Sequence, residues 1–344
     1  VQSNPWSKVL EGKKVLVIHP FAELIEKQYE KRLLLFKNPQ ILPDFKLKVI
    51  KALYYNDFKT VDKTKTEKIF RLLQTQKIDL NKILQQNIFV DEKKYLDYIQ
   101  QNIRFKEEKP FKLLVTATMS AGKSTFINSI TGKNICRSQN MACTSKIHMI
   151  INKAYEDGYS YEYDHDLVMT AGSEELLNDN ELNKTDMIYV GTSFDGLLRN
   201  HRMTINDSPG VNYSENSEHR DITRKLIKSK RYDLLVYIMN ATQLGTYDDA
   251  EHLDYVKKQI GNKPVIFIIN KIDEFNPEEE NIKKTLDGQI EYIKSHGFKN
   301  PVVCPMSSRA AYLAKKSLNQ ELSRTETREL NNYIDKFEQM KLTD

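Results

Sequence analysis

Leu113-Leu114-Val115-Thr116-Ala117-Thr118-Met119-Ser120-Ala121-Gly122-Lys123-Ser124-Thr125 is the stretch that decides the fold. An apolar, β-branched run enters a loop of small residues, passes Gly-Lys-Ser-Thr, and continues into the helix-like Phe126-Ile127-Asn128-Ser129-Ile130. Strand, loop and helix in that order set inward-pointing backbone N–H groups beside a helix N-terminus, and the two together cradle phosphate. On this reading Ala121, Gly122 and Thr125 belong to the phosphate-binding loop. Lys123 reaches the β- and γ-phosphates, and the Ser124 hydroxyl ligates Mg²⁺. The usual pattern opens on glycine, where this chain has Ala117. A methyl group is tolerated there if φ stays negative. The bland alternative is a strand-to-helix turn with a chance Gly-Lys-Ser.

Three later segments bear on that choice. His201-Arg202-Met203-Thr204-Ile205-Asn206-Asp207-Ser208-Pro209-Gly210 reads as a strand ending in Asp-x-x-Gly. Asp207 is expected to hold the Mg²⁺ water shell and the Gly210 N–H to sense the γ-phosphate; otherwise this is a strand followed by a Pro-Gly turn. Pro264-Val265-Ile266-Phe267-Ile268-Ile269 suits a parallel strand buried on both faces and runs into Asn270-Lys271-Ile272-Asp273. A carboxylate in the place of Asp273 accepts two hydrogen bonds from the N1–H and N2–H₂ edge of guanine. Adenine lacks that pair, and a site built around a polar partner rejects analogues without it. Asn270 braces this loop and faces the base, and the Lys271 stem lies along the ring. Ser307 and Ser308, after the short strand at 301–306, sit where backbone N–H groups would meet the guanine O6. Thr144, just before the strand-like Lys146-Ile147-His148-Met149-Ile150-Ile151, is the best candidate for a switch threonine that ligates Mg²⁺ and meets the γ-phosphate.

With Ser120-Ala121-Gly122-Lys123-Ser124-Thr125, Ala142-Cys143-Thr144, Asp207-Ser208-Pro209-Gly210, Asn240-Ala241-Thr242-Gln243-Leu244-Gly245 and Asn270-Lys271-Ile272-Asp273 in view, the chain resembles a dynamin-family large GTPase of the bacterial dynamin-like branch. The resemblance covers roughly residues 66 to 315. After Gly210 come Val211 and Asn212, so the glutamine that positions water in Ras-type enzymes is missing. The resemblance implies other means: Ser120 helps hold a monovalent cation, K⁺ or Na⁺, and Thr144 orients the attacking water. Both are completed when two G domains dimerise face to face. It also implies a helical stalk and a membrane-binding region. Any such parts, and peripheral membrane contact, are expected in a longer parent protein.

The expected architecture is α/β: a P-loop NTPase three-layer fold with a mostly parallel central sheet, flanked by helices from both ends of the chain. Residues 1–65 read as a small α/β appendage or fusion remnant, faintly like the start of a bacterial glycosyltransferase-like domain. Residues 66–110 read as a helical segment packing on the G domain, 111–315 as the G domain, and 316–344 as a C-terminal helix with the stripe Leu330, Ile334, Phe337 and Met340. Residues 152–200 read as a surface insertion with a short helix near 174–178. The 344 residues are 40% hydrophobic and 29% charged, with a formal charge of +5. Three scattered cysteines show no metal spacing and suit free thiols in a cytoplasmic compartment, with peripheral placement at the inner membrane face as the further expectation. No aromatic–basic interleaving for stacking bases is present, so nucleic acid is not an expected partner. The partners expected are GTP or GDP and a second copy of the chain. The rival readings are a GTP-gated binding module with negligible turnover and no membrane remodelling, and an interaction protein whose loop no longer binds nucleotide.

Overall fold

The computed structural model describes residues 101, 105, 108–136, 147–156, 158–163, 167–171, 187–211, 217–243, 245–275 and 282–340. The appendage expected at 1–65, the helical segment expected at 66–110 except 101, 105 and 108–110, and the Thr144 loop lie outside the described residues. The chain divides into two compact units, Val1–Glu108 and Lys109–Asp344. The sheet and its helices belong to the second.

Nine strands form one sheet: β1 (Phe111–Ala117), β2 (Ile147–Asn152), β3 (Tyr159–Tyr163), β4 (Leu167–Ala171), β5 (Met187–Thr192), β6 (Met203–Asp207), β7 (Leu234–Asn240), β8 (Val265–Asn270) and β9 (Val302–Met306), in the order β4-β3-β5-β2-β6-β1-β7-β8-β9. Strands β6, β1, β7, β8 and β9 run parallel to one another. β2 is antiparallel to β6, and β3 is antiparallel to β4 and β5. The described helices are α1 (Lys123–Thr131), α2 (Ser217–Ser229), α3 (Tyr247–Ile260), α4 (Ile282–Ser295), α5 (Ser308–Ser317) and α6 (Arg324–Gln339).

The near-continuous apolar runs of β1, β7 and β8 follow from burial on both faces. In β1, Leu113, Val115 and Ala117 join one core cluster with Phe126 and Ile127 of α1, while Leu114 joins the opposite cluster with Leu253, Val256 and Ile260 of α3. β7 alternates likewise, with Val236 and Ile238 on the α1 side and Leu235, Tyr237 and Met239 on the α3 side. Residues of α2 and α4, among them Ile227 and Ile293, also face the α3 side. α5 lies by α1, its Lys315 Nζ donating to the Ile130 carbonyl at 2.7 Å. The result is the three-layer α/β fold the sequence leads one to expect, a mostly parallel sheet between helical layers. The helices from the N-terminal end fall outside the described residues.

The segment at 152–200 is not merely a surface insertion. It supplies β3, β4 and β5, which widen the sheet on the β2 side. Alternation hides in its polarity: along Met187-Ile188-Tyr189-Val190 the buried residues are Ile188 and Val190. Tyr161 of β3 is buried and stacks under the ammonium of Lys153, itself fully buried, at 4.6 Å. A tyrosine-rich strand of this kind has little apolar signature, although aromatic residues favour strands. The helix expected near 174–178 lies outside the described residues.

Candidate functional site

The C-terminal ends of β1, β6, β7 and β8 and the start of α5 meet at one edge of the sheet, the crevice where open parallel sheets place their ligands. Ala117 ends β1 fully buried, its side chain within the α1-side core. Among the described residues the non-glycines with positive φ are Ser120 (62°), Lys230 (53°) and Lys271 (68°), so Ala117 keeps a negative φ and the fold makes no demand for glycine there. Ser120 and Lys271 hold the left-handed conformation that L-residues adopt at an energetic cost, a strain that clusters at ligand clamps. Gly122 begins α1 at φ 88°. A Cβ at Gly122 would lie 2.2 Å from Asn270 Nδ2, so the close approach itself requires glycine. No side chain caps α1 and no acid occupies its first turn. Its unsatisfied N–H groups and the positive end of its dipole therefore favour an anion.

Lys123 and Asp207 form an ion pair, their side chains 11% and 6% exposed. The loop after Asp207 is strapped along the phosphate loop. Ser208 donates from N and Oγ to the Val115 carbonyl (3.4 and 3.0 Å), Val211 N donates to Ala117 O (3.1 Å), and Met119 N donates to Val211 O (3.3 Å). A Cβ at Gly210 would meet only the Met119 Cα, at 3.8 Å, so nothing steric demands glycine at that position. Val211, in the place of the Ras-type glutamine, is 1% exposed. The donor set of Ser124 hydroxyl and Asp207 carboxylate fits Mg²⁺, a hard cation that takes one or two carboxylates, keeps several waters and leaves the rest of its shell to phosphate. Among the described residues no cluster of three or more His, Cys, Asp or Glu offers a competing metal site. Thr144 is not placed.

At the end of β8, Asn270 is 2% exposed and joins three segments. Its Nδ2 donates to the Ala121 carbonyl at 2.8 Å, and its Oδ1 accepts from Ser308 N at 3.0 Å. Its backbone carbonyl accepts from Ala241 N at 2.9 Å. Asp273 lies partly exposed in a 3₁₀ turn, Ile272–Glu274. Lys271 pairs with Glu274 at 3.0 Å. Ser307 caps α5, its Oγ accepting from Ala310 N, and Ser308 is the first helical residue. Both are thus helix-start residues rather than free loop, and the Ser308 N–H is already given to Asn270.

Some contributors escape sequence reading. Asn128 of α1 accepts from Ile135 N (3.1 Å) and Cys136 N (2.8 Å) and donates to the Cys136 carbonyl (2.8 Å), fixing the chain as it leaves for the Thr144 loop. In a helix that also carries Lys123, Ser124, Thr125, Ser129 and Thr131, one more polar residue gives no sequence signal. Thr242 donates to Glu274 Oε2 at 3.2 Å, tying the Asn240–Gly245 segment to the 3₁₀ turn that carries Asp273. His252 hydrogen-bonds Thr116 Oγ1 at 2.8 Å behind β1, and burial pulls its pKa down to about 3, so it stays neutral. Burial first, then the Asp207 charge, pushes the Cys136 thiol well above its usual range, making it a neutral filler.

Residues 113–272 match the model of the dynamin family. The segment is a dynamin-family G domain. Relatives of this G domain include the "Uncharacterized protein in xynA 3'region" of Caldicellulosiruptor sp. (strain Rt8B.4), 27% identical over 63% of this chain and 53% of the relative. The "Probable transmembrane GTPase FZO-like, chloroplastic" of Arabidopsis thaliana is 26% identical over 61% of this chain and 20% of its own length. The "Bacterial dynamin-like protein" of Nostoc punctiforme (strain ATCC 29133 / PCC 73102) is 24% identical over 48% and 25% respectively. The match thus spans from a fifth to about half of these relatives. At the level of the family, the dynamin-family G domain carries GTP binding and hydrolysis. No helix among the described residues is long and apolar enough to cross a membrane.

Proposed function

We propose that this chain is a Mg²⁺-dependent GTP hydrolase whose turnover is completed by face-to-face pairing of two G domains. The observation that carries the nucleotide reading is Asn270, whose side chain joins the phosphate loop at Ala121 to the loop at Ser308 while Asp273 stands three residues on. Phosphate and base would thereby be read by one connected frame. Lys123 is the cation for the β- and γ-phosphates; their charge would draw it from Asp207 and leave that carboxylate to the metal. Ser124, Asp207 and Thr144 would hold Mg²⁺, which when bound neutralises charge on the phosphates. The Gly210 N–H would follow the γ-phosphate, held in range by the straps at Ser208 and Val211.

Val211 is apolar and buried, so it orients no water. Thr144 takes that role, and Ser120, at its left-handed φ, helps hold K⁺ or Na⁺ against the developing charge. The second G domain completes both. The same buried Val211 favours a second reading, a GTP-gated module with negligible turnover and no membrane remodelling. Single-turnover hydrolysis separates the two. The domain plan of an appendage at 1–65, a helical segment at 66–110, a G domain at 111–315 and a C-terminal helix at 316–344 is proposed with it.

A cytoplasmic protein touching the inner membrane face peripherally is supported by charge. Segments 225–233, 257–263 and 294–301, at the C-terminal ends of α2, α3 and α4, hold nine Lys or Arg and one Asp. Each Lys or Arg near an anionic bilayer contributes about 1 kcal/mol. Co-sedimentation with phosphatidylserine vesicles, lost at high salt, is the expected behaviour. Calorimetric titration with GDP, GTP and ATP in Mg²⁺ tests the central reading. Saturable uptake of both guanine nucleotides with ATP excluded supports it, and no uptake by folded protein rejects it.

A further inference from the structure

The turn carrying Asp273 is held from two sides. On the inner side Ile272 and Phe275 are buried in the α3-side core, and Thr242 reaches Glu274. On the outer side lies α6, which begins 52 residues beyond the family-matched segment (324 − 272). The Lys336 ammonium donates to the backbone carbonyl of Asp273 itself. Phe337 and Met340 pack on the cluster that contains Ile272 and Phe275.

The first half of α6 is fixed elsewhere, to the helix that starts at Ser308. Arg309 Nε and Nη2 donate to the two Glu329 carboxylate oxygens, each at 2.8 Å, the fork geometry that fixes direction as well as distance. Lys316 Nζ reaches Glu326 at 2.7 Å, and Tyr333 OH donates to Glu329 at 3.0 Å. A capping box at Ser323 and Glu326 fixes the helix start. None of the α6 residues is fully buried. The helix is therefore held by polar links to the two elements that flank the base site, together with the packing of Phe337 and Met340 at its C-terminal end.

We propose that α6 is an external clamp on the guanine-reading frame, with Lys336 and the Arg309–Glu329 pair as positioning residues that set Asp273 and the start of α5 at the spacing guanine requires. The inference rests on the nucleotide reading above and adds to it residues that read the base through others. Lys271, one residue before the turn, sits in the left-handed region. A turn entered through a strained residue needs support to hold one geometry, and the Lys336 link acts on the main chain of the residue whose carboxylate does the reading. Because binding linkages are reciprocal, guanine nucleotide would tighten α6 docking by the same factor that α6 tightens nucleotide.

The test is calorimetry on the full chain with GDP, IDP and inorganic tripolyphosphate, for the wild type, Lys336→Met, Lys336→Arg and Glu329→Gln. IDP lacks the 2-amino group, so the IDP/GDP ratio of Kd reports the placement of Asp273 and not overall stability. Lys336→Met is expected to weaken GDP about tenfold, the scale of one charge-assisted hydrogen bond, and to bring the IDP/GDP ratio towards one. Tripolyphosphate affinity should hold. Lys336→Arg keeps a donor and should stay near the wild type, and Glu329→Gln should move in the same direction as Lys336→Met by a smaller factor. Wild-type GDP uptake with an unchanged ratio in both Lys336→Met and Glu329→Gln overturns the clamp alone. Equal losses for GDP and tripolyphosphate also overturn it, since they mark general destabilisation. No GDP uptake by the wild type overturns the nucleotide reading beneath it.

Discussion

Ala117 and Gly122 show how single residues set the limits of this site. The chain dispenses with glycine at the first loop position because its φ is negative and the methyl belongs in the core. It keeps glycine at 122 because the Asn270 amide stands where a side chain would go. Gly122→Ala is expected to destabilise the folded chain by about 2–4 kcal/mol, from left-handed strain plus the loss of the buried Asn270–Ala121 bond. Urea unfolding at matched slope measures it, and an unchanged midpoint would mean that the Asn270 frame is not rigid. At Asp273 a different outcome is expected. Asp273→Asn should leave unfolding unchanged within about 0.5 kcal/mol, as for a surface change. It should weaken GDP roughly hundredfold, the scale of two charge-assisted hydrogen bonds. Calorimetry with GDP and XDP checks it, since the xanthine C2 carbonyl suits an asparagine amide. Motif residues at strand ends were legible because their chemistry rests on side-chain type. The Ser308 N–H given to Asn270 was not, because main-chain hydrogen bonds leave no mark on residue identity.

At the scale of elements, the strands were legible where burial on both faces wrote an apolar run, as in Val265–Asn270, and not where one face is tyrosine, as in Tyr159–Tyr163. The stripe Leu330, Ile334, Phe337 and Met340 announced α6, yet Ile334 remains 45% exposed. Charge pairs, not the stripe, fix its first half, and pairs between helices distant in sequence carry no spacing signal. Those pairs give the helix a pH dependence. Lys316 and then the Ser323 cap hold the Glu326 carboxyl down to about 2, and Arg309 holds Glu329 below its usual range. A carboxylate with a depressed folded pKa adds stability that is present above its unfolded pKa and lost as pH falls through the folded one. Docking of α6 should therefore be intact at neutral pH and weaken progressively from about pH 4.5 towards about pH 2. Because both carboxyls are partly exposed, salt should reduce the effect. Amide exchange along 324–339 across that range, at low and high salt, reads it. Exchange protection independent of pH would show that Phe337 and Met340 alone hold the helix.

At the scale of the whole molecule, the proposed reading gives the G domain the means to bind a triphosphate, while the residue in the place of the Ras-type glutamine is the apolar Val211. Val211 is turned into the core, and its backbone is spent on strapping the loop to Ala117 and Met119. Two ladder-like bonds at that residue make a rearrangement that would expose it costly. Phosphoryl transfer needs little covalent help and depends on positioning and charge. Both can be supplied at an interface, as arginine fingers show in other GTPases. Turnover per G domain is thus expected to rise with protein concentration until pairing saturates, and to be faster in K⁺ than in Li⁺, whose smaller, tightly hydrated ion fits a K⁺ position poorly. Val211→Gln separates the sources of the effect. If the side chain's burial is what matters, this substitution should destabilise the loop without restoring concentration-independent turnover. Steady-state phosphate release across a hundredfold range of protein, in each salt, decides the matter: a flat specific activity in both salts would mean that one G domain suffices and that the attacking water is positioned by the Thr144 loop alone.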